Sequence, residues 1–213
     1  MSTESDARFW DRTSRHYAAS AMADQAGYER TLDRTRAVLR PDSRVLELGC
    51  GTGSTALLLA GDVRSYLATD LSAAMIAIAE EKHAAKPLPA LSFRSATAEA
   101  LMPEAGQFDA VLGFSYLHLV RDLPATLRQI HALLADDGVF ISKTPCVGEM
   151  NPLIPMLLLP AMRAIGKAPH ASVFRAAELE QQIKAAGFDI VAVEKHATKG
   201  NDYRPYIVAR KSA

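Results

Sequence analysis

The sequence predicts an α/β fold, a mostly parallel sheet with helices on both faces, and three observations predict it. Apolar strand-like runs alternate with helical stretches along the 213 residues. The run Val45-Leu46-Glu47-Leu48 leads straight into a turn with glycine at alternate positions, Gly49, Gly51 and Gly53. A second strand-like run, Ser65-Tyr66-Leu67-Ala68-Thr69, then ends in Asp70. Alternating glycines let the backbone turn sharply and approach a ligand more closely than any Cβ permits. With a carboxylate at the end of the neighbouring strand, placed to accept from ribose hydroxyls, the arrangement reads as a nucleoside-cofactor site.

Taken in order, the elements support that class. Arg8 to Ala21 reads as a helix carrying Phe9, Trp10 and Tyr17, with Met22 just beyond; a second, Tyr28 to Leu39, repeats apolar positions and is stopped by Pro41. After the glycine turn, Ser54 and Thr55 are expected to cap a helix over Ala56 to Ala60, with Gly61 as its stop. Ser72 caps a helix through His83, and Leu91 to Ser95 alternates like a third strand. Phe108 to Gly113 is the fourth strand, Asp122 caps a helix through Leu134, and Asp137-Gly138 makes a turn before a fifth strand, Val139 to Ser142. Ala176 to Ala186 reads as a helix closed by Gly187, followed by strands Ile190 to Glu194 and Tyr206 to Ala209, close enough to form an antiparallel edge pair.

The spacing of the glycines narrows the chemistry. A dinucleotide fingerprint, G-x-G-x-x-G/A, would place its third member at Ser54, whereas the glycine falls at Gly53. An acidic residue followed by G-x-G-x-G, here Glu47, Gly49, Gly51 and Gly53, resembles the first motif of the class I S-adenosylmethionine-dependent methyltransferases, nearest the small-molecule, quinone-biosynthesis-like (type 11/25) group. The resemblance runs from about Phe9 to the end of the chain. It implies a Rossmann-like seven-stranded sheet with one antiparallel edge strand and a single domain over 1–213, with residues 1–40 as an N-terminal helical lid and 145–170 as an apolar cap insertion. It also implies S-adenosyl-L-methionine as the cofactor.

The expected contacts follow group by group. Amides from Cys50 through Thr52 to Gly53 and the start of the following helix suit the methionyl carboxylate, and Glu47 orders the turn and the ammonium side. Asp70 accepts from the ribose hydroxyls while Leu71 packs on adenine, although Asp70 also reads as a helix cap beside Ser72. Phe93 to Leu101 resembles the family's adenine-side motif, with Ala98 contributing backbone and Thr97 standing where many relatives carry aspartate. Thr97 is alternatively a cap. Gly113 to Val120 resembles the loop facing the donated methyl, where the carbonyls of Gly113 and Phe114 would accept from the ammonium. In that loop His118, with an ordinary pKa near neutrality, is the candidate base; its other reading is a backbone anchor. Tyr17, as a lid residue, is the second catalytic candidate, and its other reading is packing beside Trp10.

Composition excludes other classes. Basic and acidic residues balance at 24 each, so a nucleic-acid substrate is disfavoured, and Arg30, Arg34 and Arg36 read as a solvated helix face. Cys50 and Cys146 form neither a disulfide framework nor a metal pair, the histidines lack ligand spacing and no metal is expected, and a reducing cytoplasmic setting is the default. No run approaches the length of a membrane span. Pro152 to Met162 is apolar on nearly every side and reads as a buried helix, a cap lining the substrate pocket, or a surface for a homodimer. The expected activity is in-line methyl transfer to oxygen or an activated carbon of a small, rather apolar acceptor. A noncatalytic module that binds the cofactor or a partner, and an NAD-dependent oxidoreductase, are the alternatives.

Overall fold

Period-two burial in the central strands shows how both faces of the sheet are filled. Leu46, Leu48 and Val111 enter one buried cluster, while Val45, Ala110 and Leu112 enter the other. The computed structural model describes residues 3–164, 166, 168–198 and 203–212. Its strands are β1 (Arg44–Leu48), β2 (Ser65–Asp70), β3 (Leu91–Ser95), β4 (Phe108–Phe114), β5 (Leu134–Lys143), β6 (Phe188–Glu194) and β7 (Tyr206–Lys211). They form a seven-stranded sheet in the order β3-β2-β1-β4-β5-β7-β6. The first five run parallel, and β7 pairs antiparallel with both β5 and β6. The fold is therefore the Rossmann-like, mostly parallel sheet with an antiparallel pair at one edge. Strand order reverses at β1, which lies between β2 and β4, and the crevice at the carboxyl ends of these strands is where ligands bind in such sheets.

The helices are α1 (Thr3–Ala19), α2 (Gln25–Arg36), α3 (Ala56–Leu59), α4 (Ala73–Ala85), α5 (Leu123–Leu133), α6 (Leu159–Ala164) and α7 (Ala176–Ala185). Ser72 caps α4 by accepting from Met75 N, and Asp122 caps α5 by accepting from Ala125 N, as their sequence positions predict.

Four local expectations differ. The helix after the glycine turn is a single turn, because Arg36 donates to the Leu58 carbonyl and to Asp62 and the chain tightens over Ala60–Asp62. Thr55 makes no cap bond; its hydroxyl meets the Tyr28 hydroxyl at 3.1 Å. Asp137-Gly138 is an irregularity inside a longer β5 rather than a turn before it, with Asp137 at φ +60°. Arg34 and Arg36 are not simply solvated: Arg34 pairs with Glu194 of β6, and Arg36 with Asp33 and Asp62.

The apolar run within 145–170 is not a buried helix. Leu153, Met156, Leu157 and Leu158 face outward, Met156 being 78% exposed. A wide turn at Ile154–Leu158 precedes α6, consistent with the prolines that deny the segment a regular ladder. Within the segment, Pro145 and Met150 reach cavity walls. Among the described residues, no helix is long and apolar enough to cross a membrane.

Candidate functional site

The glycine turn leaves β1 at the switch point and lies against the end of β2. Gly49, Gly51 and Gly53 all have positive φ, +70°, +54° and +74°. Their neighbours differ. A Cβ on Gly53 would meet Ala79 and Phe93 at 2.8 Å, so this glycine is set by packing of α4 and β3. A Cβ on Gly51 would find only Tyr17 Cε1, at 3.6 Å, across the cavity that both residues line. One on Gly49 would collide with the Tyr116 ring. Asp70 ties this turn to the next helix: its Oδ2 accepts from Gly51 N and its Oδ1 from Ser72 N, both at 2.9 Å. Burial, with the Asp11 charge nearby, raises its pKa against those bonds.

Asp70, Gly49, Gly51, Leu71, Thr97, Ala98, Phe114 and His118 converge on one cavity of about 960 Å³. Thr97 acts as a cap while lining it, since its hydroxyl accepts from Ala100 N at 3.3 Å. Helix α1 forms the roof. Asp11 accepts from Ser72 Oγ at 2.6 Å and from Ala74 N at 3.2 Å, so α1 is bonded to the start of the helix that follows Asp70. Asp6 pairs with Arg121 at 2.7 Å on the opposite wall. Trp10, between these ties, and Tyr17, beyond them on α1, line the cavity with their rings 6.0 Å apart edge to face, so Tyr17 is both packed on Trp10 and set over the glycine turn.

The loop after β4 is strained at Ser115, φ +51°, whose N–H donates to the Lys143 carbonyl at 2.8 Å. Tyr116 is buried against Gly49 and Gly113, and burial raises its phenol. Gly113 itself lies beneath that ring, paired with Ser142, and does not reach the cavity wall. His118 does. Its Nδ1 is buried and has no hydrogen-bond partner among the described residues, while its carbonyl accepts from Ser172 N at 2.7 Å. Burial, then Arg204 and His170, push its pKa down to about 4. The near-neutral pKa expected from the sequence does not survive folding, and the ring is neutral at pH 7.

Glu47, Cys50 and Thr52 line a second cavity, of about 560 Å³. Glu47 is buried, with Tyr66 Oη donating to its Oε2 at 2.9 Å, and burial raises its pKa to about 7. Lys82 Nζ holds Thr52 through its carbonyl at 3.0 Å and its hydroxyl at 2.8 Å. Cys50 and Cys146 are buried free thiols raised by burial, Cys146 to about 12, which leaves them unsuited to nucleophilic chemistry. The two cavities share Tyr17, Met22, Gly49, Phe114, Ser115 and Arg204.

The residues fit a nucleoside cofactor. Gly51 presents bare backbone to open space, Asp70 offers a strand-end carboxylate with acceptor capacity beyond its two amide bonds, and His118 Nδ1 is an unfilled buried polar atom in the same cavity. No group of three or more metal-ligating side chains occurs among the described residues. Sequence reading missed Asp11, Ser115, Lys143 and Arg204. An Asp at position 11 carries no local signal, since its partners lie more than sixty residues on; Arg204 could have been noticed as the charged residue immediately before Pro205 and the last strand.

A family model described as a methyltransferase domain matches residues 15–193. Among curated proteins, the chain is 32% identical over 188 residues to the zebrafish (Danio rerio) mitochondrial arginine-hydroxylase NDUFAF5, covering 83% of this chain and 57% of that protein. It is 36% identical over 115 residues to the ubiquinone biosynthesis O-methyltransferase of Methylocella silvestris, covering 53% of this chain and 44% of that enzyme. The chain thus spans about half the length of these relatives. The solved structure of magnesium protoporphyrin IX methyltransferase from Synechocystis, with bound S-adenosylhomocysteine, superposes with a TM-score of 0.71 at 18% identity, covering 98% of this chain and 100% of that one. With the glycine turn, Asp70 and the sheet order in place, the chain belongs to the class I S-adenosylmethionine-dependent methyltransferase family.

Proposed function

We propose that the protein transfers a methyl group from S-adenosylmethionine to a small, rather apolar acceptor, at oxygen or an activated carbon, by in-line displacement. The observation that carries this reading is the pairing of the two cavities. The one holding Asp70, Gly51, Ala98 and His118 shares the wall of Tyr17, Met22, Gly49, Phe114, Ser115 and Arg204 with the one lined by Glu47 and Lys143, so the two ends of the cofactor have room on either side of that wall and an acceptor beside it has His118 in the same cavity.

When bound, the cofactor supplies a methyl on a positively charged sulfur, an electrophile that needs no metal or acid from the protein. Asp70 would accept from the ribose hydroxyls, Leu71 and Ala98 would face adenine, and Glu47 would ionise beside the ammonium. Gly49 to Gly53, with Cys50 and Thr52, shape the turn, and the Phe114 carbonyl would accept from the ammonium at the wall the two cavities share. Trp10 and the half-exposed Tyr17 would cover part of the bound cofactor. Neutral His118 takes up the acceptor's proton at Nδ1.

Calorimetric titration with S-adenosylmethionine, S-adenosylhomocysteine and NAD tests the cofactor, and methyl transfer from labelled cofactor to a panel of phenols, quinone precursors and small acids tests the acceptor. Preference for NAD, or cofactor binding with no transfer across the panel, would overturn the reading. His118→Ala should slow kcat for proton-releasing acceptors without weakening the cofactor. Because the His118 pKa is near 4, activity should show no His118-dependent acid limb at pH 6–7. Such a limb, abolished by the substitution, would show that the ring titrates near neutrality and reject the lowered pKa, whereas an unchanged kcat in His118→Ala would reject the base role.

A second reading follows from the 32% identity to a protein named as an arginine hydroxylase, namely oxygen insertion by a chain of this fold. Mass spectrometry of the product separates the two: methylation adds one carbon and two hydrogens, hydroxylation one oxygen.

A further inference from the structure

We infer that Arg204 selects the acceptor, and that the acceptor is an apolar acid whose anionic oxygen group pairs with its guanidinium at the wall the two cavities share. This deepens the methyltransferase reading above and rests on it. The wall shared by the cavities is made of Tyr17, Met22, Gly49, Phe114, Ser115 and Arg204. An acceptor seated at this wall meets aromatic and thioether surface around one cation.

Arg204 is also positioned rather than trailing. It precedes Pro205, which confines its backbone to extended conformations, and β7 begins one residue later. The preceding carbonyl, of Tyr203, accepts from Cys146 N at 2.7 Å, tying this stretch to the end of β5. Its charge is felt at both catalytic candidates, Tyr17 and His118. An apolar frame would rest on Met22 and Phe114 while a carboxylate or comparable anion takes the planar guanidinium fork. A neutral acceptor of the same shape would leave that guanidinium without the added bond.

The test is calorimetric binding to the wild-type protein saturated with S-adenosylhomocysteine, using benzoate, salicylate and octanoate, each paired with its amide. At least one acid is expected to bind about tenfold more tightly than its amide, with Arg204→Gln removing the preference, Arg204→Lys retaining part of it, and the affinity for S-adenosylhomocysteine unchanged in both variants. If no acid outbinds its amide, the inference is wrong. If Arg204→Gln instead weakens S-adenosylhomocysteine about tenfold, Arg204 serves the cofactor and the inference is equally overturned. Failure of the wild-type protein to bind S-adenosylhomocysteine at all would reject the methyltransferase reading itself, a result read separately in the first titration.

Discussion

Asp70 does two things with one carboxylate. It fixes the glycine turn and the start of α4 through two amide bonds, and it stands where ribose hydroxyls would donate. Asp70→Ala should therefore weaken S-adenosylmethionine by about 1.5–3 kcal/mol and also lower the melting temperature of the ligand-free protein. Loss of affinity with unchanged stability would mean that the turn does not depend on it, and unchanged affinity would remove it from the site. Glu47 makes a prediction about pH. Its folded pKa, about 7, lies above the ordinary 4.5, so the native state binds more protons than the unfolded chain between those values. Stability from this group is fully present below pH 4.5 and falls as pH rises through 7, on the order of 3 kcal/mol in all. Glu47→Gln should flatten that fall in chemical denaturation at pH 5 and pH 8; an unchanged slope would place the burden elsewhere.

Helix α1 matters as an element because its ties are polar and few. Asp11 reaches the first turn of α4 and Asp6 reaches Arg121, so the roof is latched on both sides of the cavity. Trp10, the chain's single tryptophan, sits between the latches and lines the cavity. Its fluorescence should therefore report on ligand exchange. Asp11→Ala is expected to cost about 1 kcal/mol, as loss of a helix cap does, and to raise the dissociation rate of S-adenosylhomocysteine several-fold in stopped-flow displacement. An unaltered rate would show that α1 does not gate the site. Helix α2 is held differently, through Thr31, which receives Lys143 Nζ at 2.8 Å and meets His196 Nδ1 at 3.1 Å, and through Thr35 with Tyr206 at 3.1 Å. These buried bonds make α2 a fixed wall beside a roof that is latched.

On the scale of the whole molecule, one sheet organises both cavities. β1 and β4 at the switch point supply the turn and the His118 loop, and the last strand brings Arg204 to the same end. A ligand that bridges these parts should stabilise the chain as a unit. S-adenosylhomocysteine at a hundredfold its Kd is expected to add about 2.7 kcal/mol, which raises Tm by roughly 5–10 °C in a domain of this size. NAD at the same concentration should leave Tm unchanged, and a larger shift with NAD would contradict the family's cofactor assignment for this chain.

Local chemistry made much of this legible. The β1 run and the alternating glycines form a contiguous signal, with Asp70 at the end of the next strand-like run, and the caps at Ser72 and Asp122 were readable because a cap depends on its own backbone and near neighbours. Leu71, next to Asp70, and Thr97 and Ala98, from a segment resembling the family's adenine-side motif, line one cavity. The tertiary structure decided what depends on distant segments meeting: β7 inserting between β5 and β6, Asp11 bonding to Ser72, Gly113 slipping beneath Tyr116, the outward turn of Met156 and Leu157, and Arg204 lining the same cavity as His118. It also set the charge states, since Glu47 and His118 depart from their ordinary pKa values through burial, and burial belongs to the packed molecule rather than to any stretch of its sequence.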